Sequence, residues 1–213
     1  MRLRKKPWIE SAIVEYADFI DLQAPLARRG QWREAFDGQQ VLHVEIGCGK
    51  GAFLAGLSEQ QPDTAFIGIE AQLGVIYYAV LKAQAREAKN LRFVHGDAAH
   101  LTEWFADGEV DQLYLNFSDP WPKNRQAKRR LTHRNFLAVY RRIIKPGGRL
   151  LLKTDNQPLF AFSLEEFAAA GLVVEAVSWD LHKSGLPNPA MTEYETKFSR
   201  LGQPICFCQV RFE

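Results

Sequence analysis

From residue 41 onward, two hydrophobic periods take turns along the chain. Short, almost continuously apolar runs occur at 41–46, 64–70, 91–94, 112–117 and 149–153, with the length and composition of strands buried on both faces. Between them, 50–60, 73–88, 98–105, 133–144 and 158–170 carry apolar residues at helical spacing. The pattern is clearest where Val75, Ile76, Ala79, Val80 and Ala83 share one face. Lys145-Pro146-Gly147-Gly148 is a turn signal leading into the fifth strand. Two more strand-like runs, 172–179 and 205–212, flank a loop. This alternation predicts an α/β fold, a doubly wound and mostly parallel sheet with helices on both faces, to which the last two strands add an antiparallel edge. Residues 1–36 read differently, as a basic N-terminal arm and a mixed helical segment ahead of a single domain at 37–213.

Composition then sets bounds. A chain of 213 residues, 46% hydrophobic and 24% charged, is long enough for one α/β domain with its own core. No apolar run approaches the roughly 18 residues that cross a bilayer. Glu10, Glu15, Asp18 and Asp21 interrupt any leader-like core, so a cytoplasmic protein with no membrane partner is expected. Cys48, Cys206 and Cys208 form no paired ligand clusters and the histidines are scattered, so no metal site is expected. The net charge of +2 conceals an asymmetry. Residues 123–134 hold six lysines and arginines, one histidine and no acid. Without that tract and the first six residues, 17 basic residues face 25 acidic ones. A concentrated block of this kind, following an aromatic-proline turn, predicts a grip on nucleic-acid phosphates over a merely solvated face.

The candidate cofactor residues sit where strands end. Val44-Glu45-Ile46-Gly47-Cys48-Gly49-Lys50-Gly51 joins the first long strand to a helix, and Gly47 and Gly49 allow close backbone approach to a ligand. The glycines lack dinucleotide spacing, and Glu45 stands ahead of them. That carboxylate repels a pyrophosphate and attracts a methionine-type ammonium. Glu70 ends the next strand, about 20 residues on, where a carboxylate can accept both ribose hydroxyls; Asp97 follows the third strand, where it can meet an adenine edge. Three acids at successive strand ends favour S-adenosylmethionine over NAD, although each alone also fits an ordinary helix cap or solvated acid. Asp119-Pro120-Trp121-Pro122 follows the fourth strand. Its prolines fix the backbone around a candidate aromatic stacking platform, the bland alternative being a rigid turn with a buried Trp.

These motifs resemble the bacterial tRNA (guanine-N7)-methyltransferase family. The likeness is carried by residues 44–51, Gly68-Ile69-Glu70, Asp119-Pro120-Trp121-Pro122-Lys123 running into Lys128-Arg129-Arg130-Leu131, Lys153-Thr154-Asp155-Asn156, and Thr192-Glu193-Tyr194-Glu195. It extends over roughly residues 40 to 213, in the family's order. The resemblance implies a seven-stranded, Rossmann-like class I methyltransferase that modifies the variable-loop guanine at position 46 of tRNA. It implies S-adenosylmethionine contacts from Glu45, Glu70, Asp97 and Asp119, with Asp119 also catalytic. Lys123, Asp155 and Thr192, Glu193, Tyr194 and Glu195 are implied for the substrate; Arg125, Gln126, Ala127, Lys128, Arg129 and Arg130 for the RNA.

Local readings stand beside these. Thr192 and Glu195 have capping-box spacing, 155–158 can start a helix, and Lys153 can be a solvated strand residue. Three rivals remain in view. An adenine amino-group methyltransferase favours two adjacent prolines after its acid or amide, which Trp121 separates here. A non-catalytic RNA-binding protein has no use for the strand-end acids, and an NAD dehydrogenase conflicts with Glu45. Monomer and homodimer are equally compatible with the chain.

Overall fold

The computed structural model describes residues 6–22, 25–36 and 38–213; Arg2, Arg4 and Lys5 of the expected basic arm lie outside the described residues. Its strands are β1 (Ile20–Asp21), β2 (Val41–Ile46), β3 (Thr64–Glu70), β4 (Leu91–His95), β5 (Val110–Asn116), β6 (Ile144–Thr154), β7 (Val173–Ser178) and β8 (Cys206–Arg211). They form one sheet in the order β1-β4-β3-β2-β5-β6-β8-β7. Every pairing from β1 to β6 is parallel, whereas β8 runs antiparallel to both β6 and β7. The expected doubly wound sheet with its antiparallel pair at one edge is therefore present, with β8 inserted between β6 and the outermost β7.

The helices are α1 (Trp8–Ala12), α2 (Ala52–Gln60), α3 (Leu73–Ala85), α4 (Leu101–Trp104), α5 (Arg134–Ile143), α6 (Gln157–Ala169) and α7 (Glu193–Ser199). Because strand side chains alternate, the sheet buries two separate cores. On one face Phe66, Phe93 and Tyr114 pack against Ile9 of α1, Phe53 and Leu54 of α2, and Ile76, Ala79, Val80 and Ala83 of α3. On the other face Val44, Ile67, Leu113 and Leu152 pack against Leu101, Leu137, Tyr140, Phe160 and Phe167 of α4, α5 and α6. Gly51 sets the spacing of α2 and α3: its φ is +74°, and a Cβ there would lie 2.8 Å from the Ala79 Cβ.

Three departures from the periodicity are informative. The sheet has eight strands rather than seven, because the N-terminal segment contributes β1, in register with Phe93 and Val94 of β4. That segment otherwise forms α1 and 3-10 turns, and it feeds Ile9, Ile13 and Ile20 into one core and Trp32 and Phe36 into the other. It is fastened by the buried Glu109, whose carboxylate accepts the Gly30, Trp32 and Ala106 N–H groups; a buried charge is tolerated when hydrogen bonds replace its water. Finally, the turn expected at 145–148 lies inside a longer β6, as a bulge held by Gly147 N–H to Phe212 O and Phe212 N–H to Gly148 O.

Candidate active site

The parallel strands all end along one edge, and there a cleft of about 660 Å³ opens. It is lined by Ile46, Gly47, Ile69, Glu70, Gly96, Asp97, residues 116–119, Trp121, Lys128 and Arg129. Six of the sequence-derived candidates, Gly47, Glu70, Asp97 and Asp119 for the cofactor and Lys128 and Arg129 for the RNA, thus meet around one space, at the position where open α/β sheets hold ligands. A Cβ at Gly47 or Gly49 would meet no atom within 4 Å, so these two glycines leave the lip open.

Each acid is placed by local structure. Glu70 Oε2 accepts the Gly49 N–H at 3.2 Å and Oε1 accepts the Gln72 N–H at 2.9 Å, so this carboxylate also ties the glycine loop to the start of α3. Burial raises its pKa, and those N–H groups oppose the shift. Asp97 is exposed and its Oδ1 caps the following turn at Ala99 N–H. Asp97 thus fills the capping role it was expected to have in isolation and also lines the cleft. Glu45 does not line the cleft directly. It is 1% exposed, one oxygen accepts from Asn116 Nδ2 at 2.8 Å, and Oε2 has no partner among the described residues. Burial pushes its pKa up to about 8, with Asn116 and Lys153 pulling the other way. A buried acceptor left without a donor is costly.

Asp119 stands exposed in the cleft wall on a constrained turn. Phe117 and Trp121 on either side have φ of +53° and +41°, rare for side-chain-bearing residues and typical of strain kept at functional sites. The surroundings hold that strain in place. Arg130 donates to Pro120 O and Trp121 O, both at 3.1 Å, and its guanidinium lies 4.3 Å from the Phe162 ring centre. Phe117 packs on Tyr194, which stacks on Phe198. Arg129 lies over Trp121 at 4.9 Å, making a cation-faced aromatic wall.

The basic tract divides by role. Arg130 serves the turn, and Arg134 pairs with the buried Glu166 at 2.7 Å. Lys123, Arg125, Lys128 and Arg129 are exposed on and beside a 3-10 turn (Asn124–Arg129), while Gln126 and Ala127 are half-buried. Among the described residues none of these four cations makes an ion pair.

The C-terminal candidates gather differently from the sequence expectation. Thr192 caps α7, its Oγ1 accepting the Glu195 N–H at 2.9 Å, but the reciprocal half of a capping box does not form. The Glu195 side chain is fully buried and turned instead to Lys153 at 3.1 Å, Asn188 at 2.7 Å and His182 at 3.3 Å. Lys153, readable as a solvated strand position, is 4% exposed and also donates to Ala190 O. Burial lowers its pKa while Glu195 and Glu45 oppose that. Asp155 accepts from Tyr194 Oη at 3.0 Å and Gln203 at 3.1 Å, and Glu193 pairs with Lys82 of α3. These contacts anchor α7 beside the cleft. Asn116, Lys153, Asn188 and His182 were given no site role in the sequence reading; Asn116, three residues before Asp119, and Lys153, at the head of the Lys153-Thr154-Asp155-Asn156 motif, carried a local signal, and Asn188 and His182 carried none.

A family model described as a putative methyltransferase matches residues 39–208. The tRNA (guanine-N(7)-)-methyltransferase of Geobacillus thermodenitrificans is 47% identical over 98% of this chain and 96% of its own length. That of Bacillus subtilis is 46% identical over 100% of this chain and 99% of its own. Among solved structures, the 16S rRNA methyltransferase KamB superposes with a TM-score of 0.65 at 16% identity, covering 91% of this chain and 95% of that one, which shows a shared fold.

Proposed function

The chain belongs to the tRNA (guanine-N7)-methyltransferase family, and from that we propose that it transfers a methyl group from S-adenosylmethionine to N7 of a tRNA guanine, the variable-loop guanine at position 46. The observation that carries this reading is Asp119, an exposed carboxylate held on a strained, clamped turn between the strand-end acids and a basic, aromatic-faced wall. Residues 37–213 form the methyltransferase domain, with 1–36 as its N-terminal segment. The protein acts in the cytoplasm, where tRNA is. The cleft is built by one chain, so the reading holds for a monomer or a homodimer, and no helix among the described residues is long and apolar enough to cross a membrane.

The residues fit the methyl donor. Glu70 and Asp97 supply acceptors at the cleft wall, the open Gly47 and Gly49 backbone lets a ligand lie close, and the unpartnered Glu45 Oε2 suits an ammonium. When bound, S-adenosylmethionine supplies an electrophilic methyl on a sulfonium. Guanine N7 carries its own lone pair, so the protein needs no general base and contributes mainly alignment, which can account for several kcal/mol of barrier. Trp121 and Arg129 offer a face for the base, and Lys123 stands near enough in sequence to serve O6. Asp119 places negative potential where the imidazole ring becomes positive. Tyr194 and Glu195 act by holding Phe117 and Lys153.

Two outcomes follow. If Glu45 must ionise to receive the donor, binding at pH 7 releases close to one proton, because the free carboxyl titrates near 8. Affinity then rises with pH up to about 8 and levels off above it. Calorimetry in buffers of different ionisation enthalpy reads the proton directly, and Glu45→Gln should release none. Separately, replacing Arg125, Lys128 and Arg129 by alanine should lower tRNA affinity and reduce the log–log salt slope by about one unit or less for each phosphate no longer gripped. An unchanged slope in filter binding would make the tract a solvated face. The function itself is tested by labelled methyl transfer to bulk tRNA against ribosomal RNA, with label expected in tRNA only.

A further inference from the structure

A second basic-aromatic surface lies on the other face of the sheet. Lys6 Nζ donates to Tyr78 Oη at 2.7 Å and sits 5.3 Å from the Tyr78 ring centre and 5.9 Å from that of Trp8. Lys50, from the glycine loop, lies 5.7 Å over the same Tyr78 ring. Trp8 is 53% exposed although its edge packs at 5.4 Å on Tyr77, perpendicular to it. Neither lysine makes an ion pair among the described residues. Two cations are therefore held over aromatic rings with no carboxylate to neutralise them, beside an indole that presents much of its surface to solvent.

Position makes this cluster more than a surface patch. α1 and α3 belong to the core on one face of the sheet, through Ile9, Tyr77 and Val80. The tract at 123–130 leans on the opposite face, where Arg130 covers Phe162 of α6 and Leu131 packs against the other core. Lys128 and Arg129 line the cleft directly; the second surface adjoins it only through the chain, Lys50 standing in the glycine loop whose Gly47 lines the cleft and Tyr78 on α3, which begins just after the lining residue Gln72. An RNA presenting one base at the cleft has backbone to spare on both sides. Burial raises the Tyr77 pKa, and Glu15, in the 3-10 turn after α1, is close enough to add to that shift, so the side of the cluster toward Glu15 is less favourable to a phosphate than the side with Lys6 and Lys50.

We propose that Lys6, Trp8, Lys50 and Tyr78 form a second tRNA contact, so that the tRNA straddles the carboxyl edge of the sheet with phosphates held on both faces. Lys6 and Lys50 take phosphates and Trp8 stacks a base or ribose at a position away from the methylated guanine. The proposal rests on tRNA being the substrate.

Lys6→Glu and Trp8→Leu in the full chain test it, measured by filter binding to an unmodified tRNA transcript across a salt series. Lys6→Glu should weaken binding about tenfold and flatten the salt slope by about one unit. Trp8→Leu should weaken it roughly five- to tenfold or more with the slope unchanged, and Trp8→Phe should restore it, because stacking is not ionic. A stem-loop too short to reach both faces should bind wild type and variants alike. Unfolding temperature and S-adenosylhomocysteine affinity, measured alongside, should stay at wild-type values. Lys6 is exposed, so its variant is the deciding one. Wild-type affinity and slope for Lys6→Glu, with the Arg125, Lys128 and Arg129 variant weakened, would overturn the second contact and leave the substrate reading intact. Absence of tRNA binding by the wild-type protein would overturn both.

Discussion

Asp119→Ala is expected to lower the single-turnover rate of methyl transfer by a factor on the order of a hundred or more, since orientation is felt mostly in the transition state. Binding of tRNA should persist, because Lys123, Arg125 and Lys128 are exposed outside the turn's own contacts. Asp119→Asn separates two causes. If placement alone matters, the amide retains most of the rate; if negative charge matters, it loses nearly as much as alanine. The second result is expected, because an amide cannot offset positive charge on the ring and presents a donor where an acceptor is needed. Fold integrity is not at stake: Asp119 is exposed and its neighbours are held through Arg130 and Tyr194. Near wild-type rates for both variants, at saturating donor and tRNA, would reduce Asp119 to a turn residue.

The second large effect is on stability. Lys153→Met should destabilise the protein by about 3–5 kcal/mol, since it strands the Glu195 carboxylate in a buried site. Asn188 and His182 remain as hydrogen-bonding neighbours but supply no permanent charge. Adding Glu195→Gln to that variant removes the stranded charge and should recover a substantial part of the loss. Denaturant unfolding measures both, provided the denaturant slope is unchanged. A single variant costing less than about 1 kcal/mol, or a double variant no better than the single, would show that the pair does not hold α7 to the sheet.

What the sequence made legible were features with a local cause. Continuous apolar runs marked β2 to β5, and because strands of a parallel sheet end together, Glu70, Asp97 and Asp119 could be brought to one edge without any structure. Asn156 and Pro158 likewise announced α6, whose first turn Asn156 caps at Leu159 N–H. The rest depended on partners distant in sequence. The strand β1 is two residues long and has no period of its own; it exists because Ile20 can pair beside Phe93. Lys153 and Glu195 are 42 positions apart, so an alternating pattern had no means of distinguishing a buried ion pair from a solvated lysine and a helix cap. Composition counted Arg130 and Arg134 within one basic tract and had no means of showing that Arg130 also bonds the Pro-Trp turn or that Arg134 pairs with Glu166. Glu45 was recognised as an acid before the glycines, but only packing reveals that one of its oxygens is left without a donor.

The most direct test of the methyl-transfer reading is to incubate the protein with unmodified tRNA and labelled S-adenosylmethionine, digest the RNA to nucleosides, and identify the labelled product. The expected product is 7-methylguanosine, absent when the variable-loop guanine is replaced by 7-deazaguanine, which lacks the reacting nitrogen. Label in methyladenosine, label that persists in the 7-deaza tRNA, or no transfer at all would contradict it.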